Sequence, residues 1–441
     1  MESYANLPLE TIGNLVFARV PMRAQTRMIY DAKINCERCG ELSMSSRRRW
    51  CKLCESKDFC NNFNNWTSGT KAIDRIIQYT QLNANDVDEY LEWIPFHRLA
   101  DFAKMGEGKY STLVSATWLD GPRQFWHSEN EEYQRIGPTK VALRVLDNRR
   151  KFYKDLLHQL KSQLRYTFHD EFQSAFGITQ DPETKKYMVV MEYSLQGDLY
   201  QYLDRMHKKS DFRWIRKIQC LRSIAEGLRS IHNDKLIHGS LHGGNILPTD
   251  PIPGLPPRLR LSDAGLCCTP NEANPKHYFG VLPYMAPEIL RGQQITAAAD
   301  VYSVGLLMWV FATEQRPFSD RPHDVRLARD ILNGVRPEIP VGTPDFFVQI
   351  MCQCWQDEPL ARPTCYDLVK IFQGWYDEIN NKKLTSAANQ FGFADEKRAK
   401  IIQERYKVTS SSDSVTTASS INIHPEAVYT SRPLNFNLNS V

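Results

Sequence analysis

Apolar residues recur at a period of about 3.6 in two clear stretches. In the first, Ile73, Ile76, Ile77 and Thr80 share one face, which predicts a short helix with Thr67 or Ser68 as its cap. In the second, Leu221, Ile224, Ala225, Leu228 and Ile231 line one side of a longer amphipathic helix. Strand-like runs are Leu113 to Trp118, Val141 to Arg144, and Val189 to Tyr193. The most apolar stretch, Val301 to Ala312, is interrupted by Ser303 and Gly305. It falls short of the roughly 20 residues that cross a bilayer. Residues 1–30 show no period, so a flexible N-terminus is expected there. A cysteine-rich module (31–60) and a helical linker (61–95) follow, and then one dense mixed unit over 96–378. Residues 379–441 turn polar, with Ser410-Ser411-Ser412 and Ser419-Ser420, and are expected to form a disordered Ser/Thr-rich tail.

Composition narrows the class. The chain has 441 residues, 42% of them hydrophobic and 24% charged, as in ordinary globular proteins. A net charge of +4 is too small to argue for nucleic acid or a membrane surface as partner, and Arg47-Arg48-Arg49 reads as a solvated loop. The start of the chain lacks a basic segment followed by an apolar core, so no signal peptide is expected. The cysteine count, 11, is odd, which suits reduced thiols and a cytoplasmic or nuclear setting. Four of them form two knuckles, Cys36-x-x-Cys39 and Cys51-x-x-Cys54. Such pairs place four thiolates around one tetrahedral ion, so a closed, structural Zn²⁺ site in a zinc-ribbon-like module is expected. Cys60 is then a spare.

Within 96–378, Gly106-Glu107-Gly108-Lys109-Tyr110-Ser111 lies between extended segments. The glycines let backbone amides approach phosphate oxygens. A strand follows rather than a helix, which argues against a dinucleotide fold. In order come Val141-Ala142-Leu143-Arg144, then Val189-Val190-Met191-Glu192-Tyr193, then His238-Gly239-Ser240-Leu241-His242-Gly243-Gly244-Asn245. After them stand Ser262-Asp263-Ala264-Gly265, Ala286-Pro287-Glu288, Ala299-Asp300 and Arg362-Pro363-Thr364. Their succession resembles the eukaryotic protein kinase superfamily, nearest its tyrosine-kinase-like branch and, more loosely, expanded fungal kinases. The resemblance covers about two thirds of the chain. It implies an α+β, bilobal fold with a small β-rich N-lobe and a larger helical C-lobe. It also implies ATP and Mg²⁺ as cofactors. Nucleotide contacts would then fall on Gly106, Gly108, Ser111, Leu113, Ala142, Met191, Glu192, Tyr193 and Leu247, and metal contacts on Asn245 and Asp263. Asp300 would anchor the catalytic loop, and Glu288 would pair with Arg362.

The chemistry departs from that pattern. Ser240 stands at the catalytic aspartate's position, and a serine hydroxyl is no base at neutral pH. Arg144 replaces the third-strand lysine, and its planar fork does not substitute for a compact ammonium. Asp155 is the nearest candidate for that lysine's usual glutamate partner. Gly239 replaces a phosphate-reading arginine, Ala264 a packing phenylalanine, and Val281 a threonine.

The resemblance therefore implies a pseudokinase that binds Mg-ATP and regulates or scaffolds other signalling proteins, an active kinase among them. The alternative is a weak Ser/Thr or Tyr kinase in which Arg144, Lys109 and His242 compensate. A small-molecule kinase is disfavoured by the Ala286-Pro287-Glu288 segment. A pure interaction protein would keep only a vestigial nucleotide site.

Overall fold

The computed structural model describes residues 34–43, 50–107, 111–127, 132–146, 160, 164–206, 212–249, 258–263, 278–383, 385–410 and 423–434. The expected flexible N-terminus over 1–30 lies outside these, as do Gly108, Lys109, Asp155 and Ala264. The chain divides into two units, Met1–Tyr193 and Ser194–Val441.

In the first unit, β1 (Ile34–Asn35) and β2 (Leu42–Ser43) pair antiparallel. Helix α1 (Lys52–Asn62) precedes α2 (Lys71–Asn83). The predicted face of α2 is buried, and its N-cap is Thr70 rather than Thr67 or Ser68. Those two residues act from outside the helix. The Ser68 amide and both hydroxyls donate to Asp74, a carboxylate in the first turn, where negative charge meets the positive helix end. Next come β3 (Glu92–Trp93), β4 (Leu99–Glu107), β5 (Ser111–Trp118), β6 (Arg123–His127), β7 (Glu132–Arg135), β8 (Thr139–Leu146), β9 (Ala175–Gln180) and β10 (Tyr187–Glu192).

Six strands form one sheet in the order β3-β9-β10-β8-β5-β4, and β6 and β7 make a separate hairpin. Strand β8 reads as a nearly unbroken apolar run because both its faces are covered. Ala142 and Leu146 join α2's Ile73, Ile76 and Ile77 in one cluster. Val141 and Leu143 pack with Trp118, Met188 and Val190 on the other side. Residues 61–95 are therefore no linker. Helix α2 supplies part of the sheet's core, and β3 extends the sheet parallel to β9. A lone amphipathic helix must bury its apolar face somewhere, and here the adjoining sheet receives it.

The second unit is mostly helical: α3 (Leu199–Met206), α4 (Trp214–Asn233), the hairpin β11 (Ile246–Pro248) and β12 (Leu259–Leu261), and then β13 (Tyr278–Gly280). Helices α5 (Pro287–Leu290), α6 (Ala297–Thr313), α7 (Val325–Leu332), α8 (Asp345–Cys354), α9 (Cys365–Asn380) and α10 (Ser386–Ser410) follow, before β14 (Arg432–Leu434). All five predicted apolar positions of α4 are buried. Helix α6 is buried from Ala299 to Phe311, which explains its uniformly apolar sequence. Glu288 and Arg362 meet in the expected buried pair, with both contacts at 2.7 Å. The remaining guanidinium donors reach the carbonyls of Gln356, Ala298 and Asp357.

The expectation of a disordered tail over 379–441 is overturned in part. Helix α10 places Phe391 against Trp214, Phe346 and Trp375. Arg398 on α10 bonds Glu314, which also accepts from the buried Lys217 at 2.8 Å. Strand β14 pairs antiparallel with β13. Average composition concealed this order, because a few apolar residues at helical spacing suffice to dock a helix on a large neighbour.

Candidate active site

The segment from His238 to Asn245 hangs from one buried carboxylate. Asp300, in the first turn of α6, accepts the amides of His238 (Oδ2, 2.9 Å) and Gly239 (Oδ1, 2.9 Å), and His232 Nε2 lies 2.8 Å from Oδ2. Burial alone would raise the Asp300 carboxyl, but its hydrogen bond and charge interaction with His232 outweigh that and hold it below the usual range. Burial alone would lower His232, yet the hydrogen bond to Asp300 and a further one to Cys365 raise it to about 10. Gly239 sits at φ +70°, a region that favours glycine.

The loop then closes on itself. His238 accepts the Ser240 amide on Nδ1 (3.3 Å), so its proton sits on Nε2 and goes to the Ser262 carbonyl (3.0 Å). Asn245 Nδ2 donates to the Ser240 carbonyl at 2.8 Å, and the Asn245 carbonyl accepts the Ser262 amide at 2.9 Å. Gly243 leaves no room for a side chain, since a Cβ there would come within 2.6 Å of the Tyr200 ring. Asp263 adopts a left-handed backbone (φ 61°), which aspartate tolerates better than most residues.

Ser240 and His242 share a partner that sequence reasoning missed, Ser431, from the residues just before β14. Its Oγ lies 3.2 Å from Ser240 Oγ and 2.9 Å from His242 Nε2. His242 Nδ1 accepts the Gly244 amide at 3.1 Å, so the neutral ring carries its proton on Nε2 and donates it to Ser431. Burial pushes His242 down to about 4, against the opposing pull of Asp263. Both ring nitrogens are thus committed, and neither offers a lone pair to an incoming hydroxyl. Nothing in the sequence marks Ser431 among its many neighbouring hydroxyl residues.

The first unit carries the other candidates. In register, Leu113 faces Arg144, and Val189 and Met191 face Arg144 and Ala142, which sets these five residues on one side of the sheet. Arg144 is buried, and Ala142 and Met191 belong to the cluster that Leu113 and Tyr193 edge. Gly106 pairs with Leu113 at an irregularity in the ladder, and Ser111 opens β5 opposite Leu146. The Glu192 amide donates to the Ser174 carbonyl at 2.9 Å, and Lys140 lies over the Tyr193 ring at 4.5 Å. Leu247 belongs to β11 of the second unit, opposite Arg260.

Away from these, the Sγ atoms of Cys36, Cys39, Cys51 and Cys54 all lie within 4.8 Å of one another. The Cys36–Cys54 and Cys39–Cys51 separations are 3.8 and 3.7 Å. A tetrahedron with Zn–S bonds of about 2.3 Å has S···S edges of about 3.8 Å, so the four sulfurs are compatible with a structural zinc. Trp50, next to Cys51, stacks on Tyr90 at 5.6 Å and donates to the Ala84 carbonyl, which fastens the knuckles to the rest of the unit.

Residues 100–372 match the family model described as protein tyrosine and serine/threonine kinase. The chain belongs to this kinase family. Its sheet and helical unit are the family's β-rich N-lobe and helical C-lobe, so the expected α+β kinase fold holds. The chain is 25% identical over 306 residues to a probable serine/threonine-protein kinase, drkD, of Dictyostelium discoideum, which covers 69% of this chain and 22% of that protein. From the same organism, the RGS domain-containing serine/threonine-protein kinase A is 24% identical over 319 residues (72% of this chain, 25% of that one). The dual specificity protein kinase zakA is 30% identical over 238 residues (52% and 30%). The chain thus spans less than a third of the length of each of these relatives. Membership implies ATP and Mg²⁺ in general terms. Among the described residues, no helix is long and apolar enough to cross a membrane.

The His232–Asp300 pair gives the fold a pH signature. Unfolded, His232 loses its proton near 6.5; folded, it keeps it to about 10. Its stabilisation is therefore full below pH 6.5 and fades as the pH rises to about 10. Asp300, depressed below 3.8, contributes above that value and loses its share as the pH falls through its folded value. In thermal melts, the deficit of a His232→Gln variant relative to wild type should shrink steadily between pH 6.5 and 10. A deficit that stays constant across that range contradicts the assignment.

Proposed function

We propose that this kinase-fold protein binds Mg-ATP and acts as a pseudokinase, a regulatory or scaffolding partner of other signalling proteins in the cytoplasm or nucleus. The observation that carries this reading is the environment of Ser240. By the sequence resemblance an alcohol stands at the position of the family's base, and the His242 imidazole, which shares Ser431 with it, has both nitrogens engaged. Loss of a positioned base costs about 10²–10⁴-fold in rate, or roughly 3–5 kcal/mol of barrier. Compensation by His242 is disfavoured on the same ground.

Asn245 and Asp263 would hold Mg²⁺ as hard oxygen ligands. Gly106, Gly108 and Ser111 would serve the phosphates, and Leu113, Ala142, Met191, Glu192, Tyr193 and Leu247 the adenine. Bound Mg-ATP would supply the polarised γ-phosphate; this chain's residues would position it without a strong proton acceptor opposite. The retained Asn245 and Asp263 support a second reading, a weak kinase acting on Ser/Thr or Tyr.

A thermal melt with Mg-ATP beside a phosphotransfer assay separates these. The pseudokinase predicts about 2.7 kcal/mol of stabilisation at 100 times the Kd, with turnover near background. Transfer at ordinary kinase rates rejects it, and no thermal shift rejects nucleotide binding. If Ser240 and Arg144 limit the chemistry, Ser240→Asp combined with Arg144→Lys should raise transfer above wild type. An unchanged rate would show that the loss lies elsewhere. For the Cys36–Cys39–Cys51–Cys54 cluster we propose bound Zn²⁺: elemental analysis of purified protein should find about one zinc per chain, and none in a Cys39→Ser/Cys54→Ser variant. Metal-free wild type contradicts this.

A further inference from the structure

Glu55, in the first turn of α1, is a buried carboxylate shared by two segments. Arg38, inside the first cysteine knuckle, donates to Glu55 Oε1 at 3.1 Å and to Asp58 at 2.6 Å, while Arg123 of β6 lies 3.7 Å from Glu55 Oε2. The Arg123 guanidinium also sits over the rings of Phe59, Tyr90 and Tyr133, at 5.0, 5.7 and 5.3 Å. The second knuckle opens α1, with Cys51 as its N-cap. The same end of the chain is fastened to the C-terminal end of α2. Trp50 Nε1 donates to the Ala84 carbonyl (3.2 Å), Lys52 to the Asn83 carbonyl (3.4 Å) and Ser56 to the Leu82 carbonyl (3.2 Å).

From α2 the connection runs into the sheet at both ends of the helix. At its start, the Thr70 hydroxyl meets that of Tyr187 on β10 (2.8 Å), which donates to the Ser68 carbonyl (2.9 Å). Near its end, Gln81 donates to the Leu91 carbonyl and Thr80 accepts the Leu91 amide, both at 2.9 Å. Strand β3 follows, so close to β9 that a Cβ at Gly177 would collide with the Glu92 carbonyl. Between these ties, the apolar face of α2 shares one cluster with Ala142 and Met191. A second path is the β6–β7 hairpin. It is the chain's connection from β5 to β8, and Arg135 binds it to Glu92 of β3. Both paths end on the strands that carry Leu113, Ala142, Arg144 and Met191.

The first knuckle has little apolar surface to hold it in place. Strands β1 and β2 are two residues each, and Ile34, Asn35 and Leu42 are exposed. A segment so short is ordered by what it binds, and the binding free energy of a metal then becomes its folding free energy. We propose that the Cys36–Cys39–Cys51–Cys54 cluster is a regulatory metal site, at which a thiophilic divalent cation sets the order of the strands bearing Ala142, Arg144 and Met191 through α1, α2 and the β6–β7 hairpin. The inference rests on the zinc reading of the knuckles and is independent of whether the protein transfers phosphate. With the ion bound, the first knuckle keeps Arg38 on Glu55 and fixes the start of α1, where Trp50 meets Ala84. Without it, both anchors loosen together. Such coupling is reciprocal, so a ligand that orders these strands tightens the metal by the same factor, typically about 5–150-fold.

The test is hydrogen exchange on the full-length protein, zinc-loaded and then stripped with a chelator, with zinc content measured in both states. Stripping should speed the amides of α2 and β8 at least about tenfold and leave those of α4 and α9 within about twofold. Reloading with Cd²⁺ should restore protection, and Mg²⁺ should not, because thiolates select soft cations. Acceleration confined to 34–62 overturns the coupling while leaving the zinc site standing. Equal acceleration through the helical unit overturns it too, since the ion would then serve the whole fold alike. Protein that never holds zinc overturns both readings. A Trp50→Leu variant keeps all four cysteines and an apolar side chain but loses the indole's bond to Ala84. It should retain about one zinc per chain, and stripping should then speed α2 and β8 by less than about threefold. A full tenfold response in that variant overturns the proposed route; if the variant does not fold, the wild-type comparison decides.

Discussion

A carboxylate removed from water is stable only when donors surround it, and Asp300 gathers three of them from two different segments: the His232 side chain at the end of α4 and the successive amides of His238 and Gly239. The consequence is positional. Two adjacent amides pointing at one carboxylate fix the backbone before Ser240. The left-handed turn at Gly239 is the geometry that lets both amides converge. From there the loop's internal bonds, through His238 to Ser262 and through Asn245 to Ser240, carry that placement on to Ser240, Asn245 and Ser262. The loop is held by these bonds, and the Ser240 hydroxyl within it has no proton-accepting strength at neutral pH.

The architecture was legible wherever burial imposes a pattern on sequence. The faces of α2 and α4 were visible as periodicities because each packs one stripe on a neighbour. The Glu288–Arg362 pair was visible from the flanking motifs, since two buried opposite charges must be matched to each other. What α2 packs against was not visible. A stripe declares that a partner exists without naming it, so a helix reads as a linker until the sheet's covered face is seen.

The candidate site was legible in its substitutions and illegible in its neighbours. Ser240, Arg144, Asn245 and Asp263 stand out because they fall in runs that resemble the family's motifs. Ser431 lies in no motif, 191 residues from Ser240, and its significance comes only from the strand pairing that brings it there. His232 was equally silent. A histidine at the end of a helix has many ordinary explanations, and its bond to Asp300 depends on how α4 and α6 cross.

Glu314 closes α6 in a left-handed turn and receives a cation from each side, Lys217 of α4 and Arg398 of α10. The final helix is therefore a counter-charge and a hydrophobic cover at once, since Phe391 shields the rings of Trp214 and Trp375. A protein trimmed at residue 372, where the family match ends, would lose Trp375 together with Phe391, uncover Trp214 and unbalance an interior ion cluster. The boundary of shared ancestry and the boundary of the folding unit do not coincide in this chain.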